Sequence, residues 1–586
     1  MQNPVFYCIR GVVIASGISL LTACGTKIAP IPQAASASPA APTAAPKPPR
    51  TPSEDSGGEL IKEQAAYDVR HVELALQVFP EKKSIGGTAT LTVLLKEPLE
   101  WLVFDLDPRL PVSGVRVGRA DEKAAASAPF ERRGPRLWIN LGKVHEAGSS
   151  LFAAIDYAGV PREAVRAPWD GGFVWSRTKS GQPWIATACE GEGGDLWWPC
   201  KDHPSDKPDA FTLRIRVPEP LVVASNGRLV EVIPHGDGSH TYHWDTAFPI
   251  SNYNIALNIA PYETITGTYT SVTGEKVPAT YWVLPENRAA GERLFVEMTE
   301  HMNFYERTLG PYPFRGEKYG VAETPHLGME HQSIIAYGNK YRGGPHGFDW
   351  LLHHELGHEW WGNLVTVSDW RDFWIHEGLC SYMQPLYAEE RDGAMAYHHA
   401  MYESRRTIKN AYAVVPAEHD VTMQVMDEKL GNEVYTKGAW VAHMLRYLVG
   451  KEQMLAVLQR FLYPTEAARS TDGSAVRLVT SEDFIRTANT VTGRDLGWFF
   501  SCYLYQPQLP KLVSTIEGGK LVLQWETPEG YPFPMPLEVE VDGRIERIEM
   551  PGGRAELDGA RYRKAKLDPN LWILKEARLQ AATTGG

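Results

Sequence analysis

The chain has little cysteine, no excess of positive charge and no long apolar run. Six cysteines in 586 residues exclude a small scaffold held together by disulfides. The 59 basic and 71 acidic residues give a net charge of -12, so the chain lacks the excess of positive charge that is typical of nucleic-acid-binding proteins. A hydrophobic content of 43% with 22% charged residues excludes both general disorder and a multi-span membrane protein. We therefore expect several folded domains and no nucleic-acid partner.

The N-terminal residues have the pattern of a targeting segment. Residues 11–21 form an apolar run, GVVIASGISLL, that is too short to cross a hydrocarbon core of about 30 Å but has signal-peptide length. The sequence LTAC at 21–24 resembles the bacterial lipobox, whose cysteine receives a lipid and becomes the new N terminus. We expect residues 1–23 to be a lipoprotein signal peptide and Cys24 to be lipidated. The alternative is an ordinary cleaved signal peptide.

The segment after Cys24 is rich in alanine and proline. Residues 24–60 contain almost no large aliphatic side chains and cannot bury enough apolar surface to offset the entropy of ordering. We expect a disordered tether that ends in a membrane lipid anchor. Because Gly25 rather than Asp follows the cysteine, we expect a bacterial envelope protein on the outer membrane, facing the periplasm or the cell surface.

The cysteines beyond the tether leave two possibilities open. The envelope permits disulfides, and four thiols allow three pairings. Four buried, unpaired thiols are the alternative. The residues concerned are Cys189, Cys200, Cys380 and Cys502.

Hydrophobic periodicity divides the rest of the chain into three regions. Residues 61–265 show strand-like alternation, as in Val72, Leu74, Leu76 and Val78. In residues 266–508 the periodicity is mainly helical. One predicted helix has apolar side chains along one face, namely Phe295, Met298, Met302, Tyr305 and Leu309. Alternation returns in 509–586, with a hairpin turn at Asp542-Gly543. The fold class is therefore a multidomain α+β protein with a small C-terminal β-sandwich.

A metal-binding pattern lies in the helical region. His354-Glu355-Leu356-Gly357-His358 falls in a predicted helix over 348–361. Four residues along a helix turn through about 400°, so both imidazoles point the same way and can bind one metal. Glu355 follows His354 directly on the helix. Its carboxylate can therefore reach a water molecule bound to that metal without being a metal ligand itself. This geometry suits a zinc hydrolase.

A second carboxylate completes the pattern. Glu377 follows His358 with eighteen residues between them, in Trp374-Ile375-His376-Glu377-Gly378. Two histidines, a glutamate and an open position for water form the ligand set of a catalytic zinc site. The spacing makes a chance pairing of core histidines a poor explanation.

Five separated blocks of sequence resemble one known family. The chain is similar to the aminopeptidase N type of zinc peptidase, within the gluzincins, which also contain leukotriene hydrolase. The resemblance covers about residues 67–572. The blocks are HELGHEWWGNLV at 354–365, DWRDFWIHEG at 369–378, LGMEH at 327–331, ACEGEG at 188–193 and NEVYTKGAWVAHML at 432–445.

The resemblance implies a catalytic centre with one zinc ion per chain. His354, His358 and Glu377 would hold the zinc, and Glu355 would act as general base. Tyr435 matches the family tyrosine whose hydroxyl supports the oxyanion. The implied fold has a saddle-like β domain, a thermolysin-like catalytic domain and a small β-sandwich.

The resemblance also implies substrate-binding residues. Gly328, Met329 and Glu330 match a segment whose glutamate binds the free α-ammonium of a peptide, and Glu190 matches a second such carboxylate. An internal peptide bond would leave both carboxylates desolvated without a partner, so the substrates would be peptides with a free N terminus.

Two departures and two rival functions stay open at this stage. Leu327 replaces a family glycine and His331 replaces an asparagine, which puts the transfer of side-chain specificity in doubt. The same zinc site could open an epoxide, alone or beside peptide cleavage. A non-catalytic surface binding protein could also retain this fold, but such a protein would be expected to lose a ligand or the base, and neither is lost.

Overall fold

The computed structural model describes residues 56–122, 124–418 and 433–576. The predicted signal peptide, Cys24 and most of the predicted tether lie outside these residues. Within them, none of the helices combines the length and apolar character needed to cross a membrane.

The N-terminal region is built almost entirely of strands. Alternating apolar residues of the strand Tyr67–Phe79 are buried, which places this strand in the middle of an eight-stranded sheet. The order across that sheet is Arg228–His235, Ser239–Thr246, Ala210–Pro218, Tyr67–Phe79, Ser84–Leu95, Ser150–Gly159, Val112–Arg119 and Ala126–Ser127.

Two smaller sheets complete this β-rich region. A three-stranded sheet has the order Leu99–Asp105, Arg136–His145 and Phe130–Arg133. A four-stranded sheet has the order Val222–Ala224, Asn258–Ala260, Pro183–Ala188 and Gly172–Arg177. The strand Pro183–Ala188 ends two residues before Glu190, so this sheet sets the position of that carboxylate.

The middle region combines two sheets with most of the helices. Its five-stranded sheet has the order Glu263–Thr270, Lys276–Val283, Tyr319–Glu323, Ile335–Tyr337 and Gly328–Met329. A two-stranded sheet pairs Val365–Val367 with Arg477–Val479. The α-helices of nearly two turns or more are Arg288–Leu309, Trp350–Gly357, Trp374–Asp392, Ala394–Arg405, Gly438–Val449, Lys451–Leu462, Ser481–Thr492 and Gly497–Tyr503, with a π-helix at Glu433–Lys437.

The C-terminal region contains two three-stranded sheets. One sheet has the order Lys511–Glu517, Lys520–Glu526 and Arg554–Asp558, and the other has Arg544–Ile548, Leu537–Val541 and Lys566–Leu567. The predicted hairpin turn is present, with left-handed backbone angles at Asp542 and Gly543. Two four-residue helices, Lys62–Ala65 and Gly559–Tyr562, lie near the two ends of the described chain. The multidomain α+β class is confirmed, while the domain boundaries stay predictions.

The helix that carries the histidine motif is shorter than predicted. It spans Trp350–Gly357, rather than 348–361, and begins after Asp349, whose side chain accepts a hydrogen bond from the Leu352 amide at 3.0 Å. Beyond Gly357 the Glu359 amide donates to the Leu356 carbonyl oxygen and the Trp360 amide donates to the Gly357 carbonyl oxygen. These bonds span three residues, as in a 3₁₀ turn, so the α-helix does not continue there. His358 keeps right-handed helical angles, so both imidazoles still share one side.

All four cysteines within the described residues are buried and unpaired. The structure therefore agrees with the second of the two possibilities that the sequence left open. Cys380 lies one turn beyond Glu377 on the helix Trp374–Asp392 and belongs to the surroundings of the metal-binding motif.

A close crossing of two helices places functional segments side by side. Gly378 follows Glu377 and meets Gly438, the first residue of the helix Gly438–Val449. A Cβ on Gly378 would lie 2.7 Å from the Gly438 Cα and 2.8 Å from the Val434 carbonyl oxygen. This contact brings the π-helix with Tyr435 beside Glu377.

Replacing Gly378 with alanine should destabilise this crossing. The added methyl group overpacks backbone atoms that cannot move aside, so we expect a loss of about 1–3 kcal/mol in the free energy of unfolding. The measurement is the shift of the urea midpoint in circular dichroism. Gly236→Ala is the control, since a Cβ there would meet nothing within 4 Å; equal midpoints for both variants would contradict the prediction.

Candidate metal centre and substrate cleft

The structure brings the donor atoms of His354, His358 and Glu377 to one point. The two Nε2 atoms are 3.2 Å apart, and the Glu377 Oε2 lies 3.2 Å from that of His354 and 3.5 Å from that of His358. Tetrahedral ligands about 2.0–2.1 Å from a zinc ion lie roughly 3.3 Å from one another. The three separations therefore fit one ion held between these atoms.

Burial and hydrogen bonding support the same fit. The Glu377 Oε2 is buried without a hydrogen-bond partner, an arrangement that is costly unless a cation contacts the oxygen. The His358 Nδ1 lies 2.8 Å from the Trp361 carbonyl oxygen, which fixes the tautomer with Nε2 free to bind a metal. The donor set thus fits zinc by geometry and by chemistry.

Cys380 also lies at this centre, whereas the sequence left it as either a disulfide partner or a buried, unpaired thiol. One donor atom from each of His354, His358 and Cys380 lies within 4.8 Å of the others. The Cys380 thiol donates a hydrogen bond to the His354 carbonyl oxygen at 2.9 Å. The unpartnered Glu377 oxygen is therefore the better third donor, and Cys380 supports the backbone of the motif helix.

Glu355 lies beside the donor set and close to the strand Gly328–Met329. A Cβ on Gly328 would approach the Glu355 Oε1 to 2.5 Å, so the strand can lie against this carboxylate only because residue 328 is a glycine. Burial raises the pKa of Glu355 to about 8, although the charges of His354 and His358 act in the opposite direction. A carboxylate with a pKa near the working pH is suited to taking up and releasing a proton.

Two further carboxylates, Glu190 and Glu330, face the same centre. The Glu330 Oε1 accepts a hydrogen bond of 3.2 Å from the Tyr253 hydroxyl, and the Glu190 Oε1 is buried without a partner. Burial, followed by the charges of Glu330 and Glu377, raises the pKa of Glu190. Two desolvated carboxylates side by side repel each other unless one of them takes up a proton or a cation lies between them.

Tyr435 comes to the centre from the π-helix Glu433–Lys437. Its ring centre lies 6.4 Å from that of His354, with 29° between the two planes. Burial and the negative charges of Glu377, Glu190 and Glu330 raise the pKa of its hydroxyl. The hydroxyl is therefore held in its protonated form, as a hydrogen-bond donor.

These groups line one cleft of about 300 Å³. That volume lies at the lower end of the range for small-molecule sites. Every site residue predicted from the sequence, apart from Cys24, contributes to its wall: Glu190, Gly328, Met329, Glu330, His354, Glu355, His358, Glu377 and Tyr435. Leu327, identified from the sequence as a departure from the family segment, also lines the cleft. The lining residues that sequence reasoning did not find are Pro168, Trp169, Trp350, Leu351, Ser381 and Gln384.

A partly buried lysine of the β-rich region bonds the segment that follows the motif helix. The Lys207 ammonium donates hydrogen bonds to the Asn363 carbonyl oxygen at 2.8 Å and to the Thr366 Oγ1 at 2.6 Å. The Asn363 side chain in turn donates to the Glu330 carbonyl oxygen at 3.0 Å. Burial lowers the pKa of Lys207 to about 7. This link was not predicted, because nothing in the spacing relates Lys207 to the motif helix.

Two family models match the chain. The model described as the peptidase M1 N-terminal domain matches residues 65–254, and the model of the peptidase family M1 domain matches 345–503. The solved M1 zinc metallopeptidase of Deinococcus radiodurans aligns with a TM-score of 0.62 at 22% identity, over 76% of this chain and 95% of its own. A mutant of that protein was solved with a Tyr-Ser-Ala substrate. At this level of identity the structural likeness concerns the fold.

Curated relatives are similar over a shorter share of their own length. Endoplasmic reticulum aminopeptidase 1 of Mus musculus is 23% identical over 425 residues, which is 65% of this chain and 44% of that protein. Leukotriene A-4 hydrolase of Xenopus laevis is 24% identical over 418 residues, 68% of this chain and 65% of that protein. The chain therefore spans about half to two thirds of the length of these relatives. The two family models nevertheless cover both the β-rich region and the metal centre, and the chain belongs to peptidase family M1.

Proposed function

We propose that the chain is a zinc aminopeptidase that hydrolyses the first peptide bond of peptides with a free N terminus. The observation that carries the proposal is the pair of desolvated carboxylates, Glu190 and Glu330, beside the donor set of the metal centre. An α-ammonium group placed between them would neutralise their repulsion. An internal peptide bond offers only a neutral amide at that position and would leave both anions buried without a partner.

The zinc ion would be held by His354, His358 and Glu377. When bound, it supplies Lewis-acid polarisation of the scissile carbonyl and lowers the pKa of an attacking water. Glu355 would take the proton of that water and deliver it to the leaving amine, since its buried carboxylate lies beside the donor set. Gly328 and Met329 would hold the substrate backbone beside this carboxylate.

Tyr435 would donate a hydrogen bond to the oxyanion that forms at the attacked carbonyl. Its hydroxyl is kept protonated by the carboxylates around it, so it is available as a donor throughout the reaction. The close crossing at Gly378 and Gly438 fixes the π-helix next to Glu377, and the donor is therefore in place before substrate binds.

We propose further that the protein is anchored in the bacterial cell envelope through a lipid on Cys24. The support comes from the sequence: an apolar segment of signal-peptide length, the lipobox-like LTAC at 21–24 and the alanine- and proline-rich segment 24–60. A peptidase held in this way would act on peptides outside the cytoplasmic membrane.

The zinc ligands can be tested through Glu377→Gln. The neutral amide weakens the third donor while keeping its shape, so we expect zinc affinity to fall by more than about 100-fold, since changes to groups that only support ligands already cost roughly 10–100-fold. The measurement is competition with a chelator of known affinity. Glu390→Gln, an exposed position on the same helix, should retain zinc. Equal affinity in the two variants would remove Glu377 from the site.

The deciding experiment for the function compares leucyl-anilide with its N-acetylated form. We expect cleavage of the free amine alone, loss of cleavage with a chelator, and a fall in kcat of at least about 10²-fold in Glu355→Gln with zinc content unchanged. Glu390→Gln again serves as the control. Cleavage of the acetylated substrate at a similar rate would refute the ammonium site, and an active Glu355→Gln variant would refute the base.

The oxyanion donor can be tested through Tyr435→Phe. Removing one hydroxyl should lower kcat by about 10²–10³-fold, because the bond forms only when the oxyanion develops. We expect KM to stay within about threefold, since the ground state does not use this bond. Tyr402→Phe, at an exposed tyrosine, should behave as wild type. An unchanged kcat in Tyr435→Phe would contradict the assignment.

A further inference from the structure

Trp169 occupies an unusual position at the mouth of the cleft. Most large aromatic side chains of the described chain are buried, but Trp169 is 46% exposed and lines the cleft together with Pro168 and Glu190. The Arg166 guanidinium lies 5.7 Å from the centre of the Trp169 ring, close enough to restrain the indole. An exposed indole beside a binding site is available for contact with a ligand.

The loop that carries Trp169 is fixed to the turn that carries Glu190. The Gly171 amide donates a hydrogen bond to the Glu192 Oε2, and the Arg162 guanidinium lies 3.3 Å from the Glu192 Oε1. Glu192 is buried and only two residues from Glu190. The positions of the indole and of the Glu190 carboxylate are therefore set by the same turn.

The loop is also closed on itself. The Asp170 side chain accepts hydrogen bonds from the Val165 amide at 3.0 Å and from the Arg166 amide at 2.6 Å. Backbone bonds between the Ala164 amide and the Phe173 oxygen, and between the Phe173 amide and the Arg162 oxygen, tie its base to a strand. The indole is thus presented by an ordered loop.

The rest of the cleft wall favours an apolar side chain over an acidic one. Leu327 and Met329 add apolar surface next to Glu330, and the charged residues in the described part of the wall are glutamates and histidines. Aspartate or glutamate at the first position of a peptide would add a further negative charge to a desolvated acidic site.

From this arrangement we propose that Trp169 contacts the side chain of the first substrate residue and selects peptides that begin with an aromatic or large aliphatic residue. The inference rests on the proposed function, because it places the substrate ammonium between Glu190 and Glu330. Trp169 and Glu190 line the same cleft, and their loops are bonded to each other, so the residue whose ammonium Glu190 binds would place its side chain near the indole.

The kinetic test compares phenylalanyl-, leucyl- and alanyl-anilides on wild type and Trp169→Ala. We expect kcat/KM to fall about tenfold more for the first two than for the alanyl substrate, because alanine has no side chain to lose the contact. Trp169→Phe should recover most of the loss. Val165→Ala, at an 89% exposed position on the same loop, is the control and should match wild type.

Two results would overturn the inference. An equal loss on all three substrates would mean that the loop only supports Glu190, and no loss would mean that the indole is not in contact. The dipeptides Phe-Ala and Ala-Phe distinguish the first substrate position from the second. If Trp169→Ala lowered kcat/KM for Ala-Phe more than for Phe-Ala, the assignment to the first residue would also be refuted.

A binding measurement keeps this inference separate from the proposed function. Calorimetry with free L-phenylalanine and L-alanine needs no turnover, and we expect tighter binding of phenylalanine that Trp169→Ala abolishes. If wild type cleaves none of the anilides, the proposed function fails, but this difference in binding still supports the role of Trp169. Equal binding of the two amino acids to wild type would refute it.

Discussion

The cleft depends on how its negative charge is compensated. Four buried carboxylates, those of Glu190, Glu330, Glu355 and Glu377, line one cleft, and the imidazoles of His354 and His358 line it with them. Anions in a low-dielectric site are stable only next to cations or when they take up protons. The arrangement suits a metal ion at His354, His358 and Glu377, and under the proposed function it also suits an ammonium group between Glu190 and Glu330. Compensation of buried negative charge is thus the requirement that links the metal centre to the proposed substrate class.

The carboxylates reach the cleft from distant parts of the chain, and buried polar contacts hold those parts together. Glu190 follows a strand of the four-stranded sheet, whereas Glu330 follows the edge strand of the five-stranded sheet. Lys207 joins the β-rich region to the turn after the motif helix, and Asn363 in that turn bonds the backbone of Glu330. Because these bonds are buried or partly buried, losing one partner would cost more than losing a surface contact and would disturb the distance between Glu190 and Glu330. The β-rich region is thus a component of the site.

The sequence predicted the parts of the site that local geometry determines. The spacing within the motif placed His354 and His358 on one side of a helix, and this holds although the helix ends at Gly357, because His358 keeps helical backbone angles. Strand alternation and the Asp542-Gly543 turn were also predictable, because both depend on neighbours in sequence. Lys207, Tyr253 and Trp169 were not predictable, because they come from loops whose positions depend on packing between distant segments. Cys380 was identified only as a thiol, since its helix had to be placed before its distance to the histidines could be known.

The proposed selection of the free amine and the proposed selection of the side chain depend on one turn. Glu192 bonds the loop of Trp169, and the same turn carries Glu190 two residues away. A change that moves this turn would shift both Glu190 and the indole of Trp169. Epoxide opening needs neither feature, because an epoxide carries no cation to place between Glu190 and Glu330. The desolvation of these two carboxylates therefore favours the proposed peptide substrates over an epoxide, although the metal centre alone would serve either reaction.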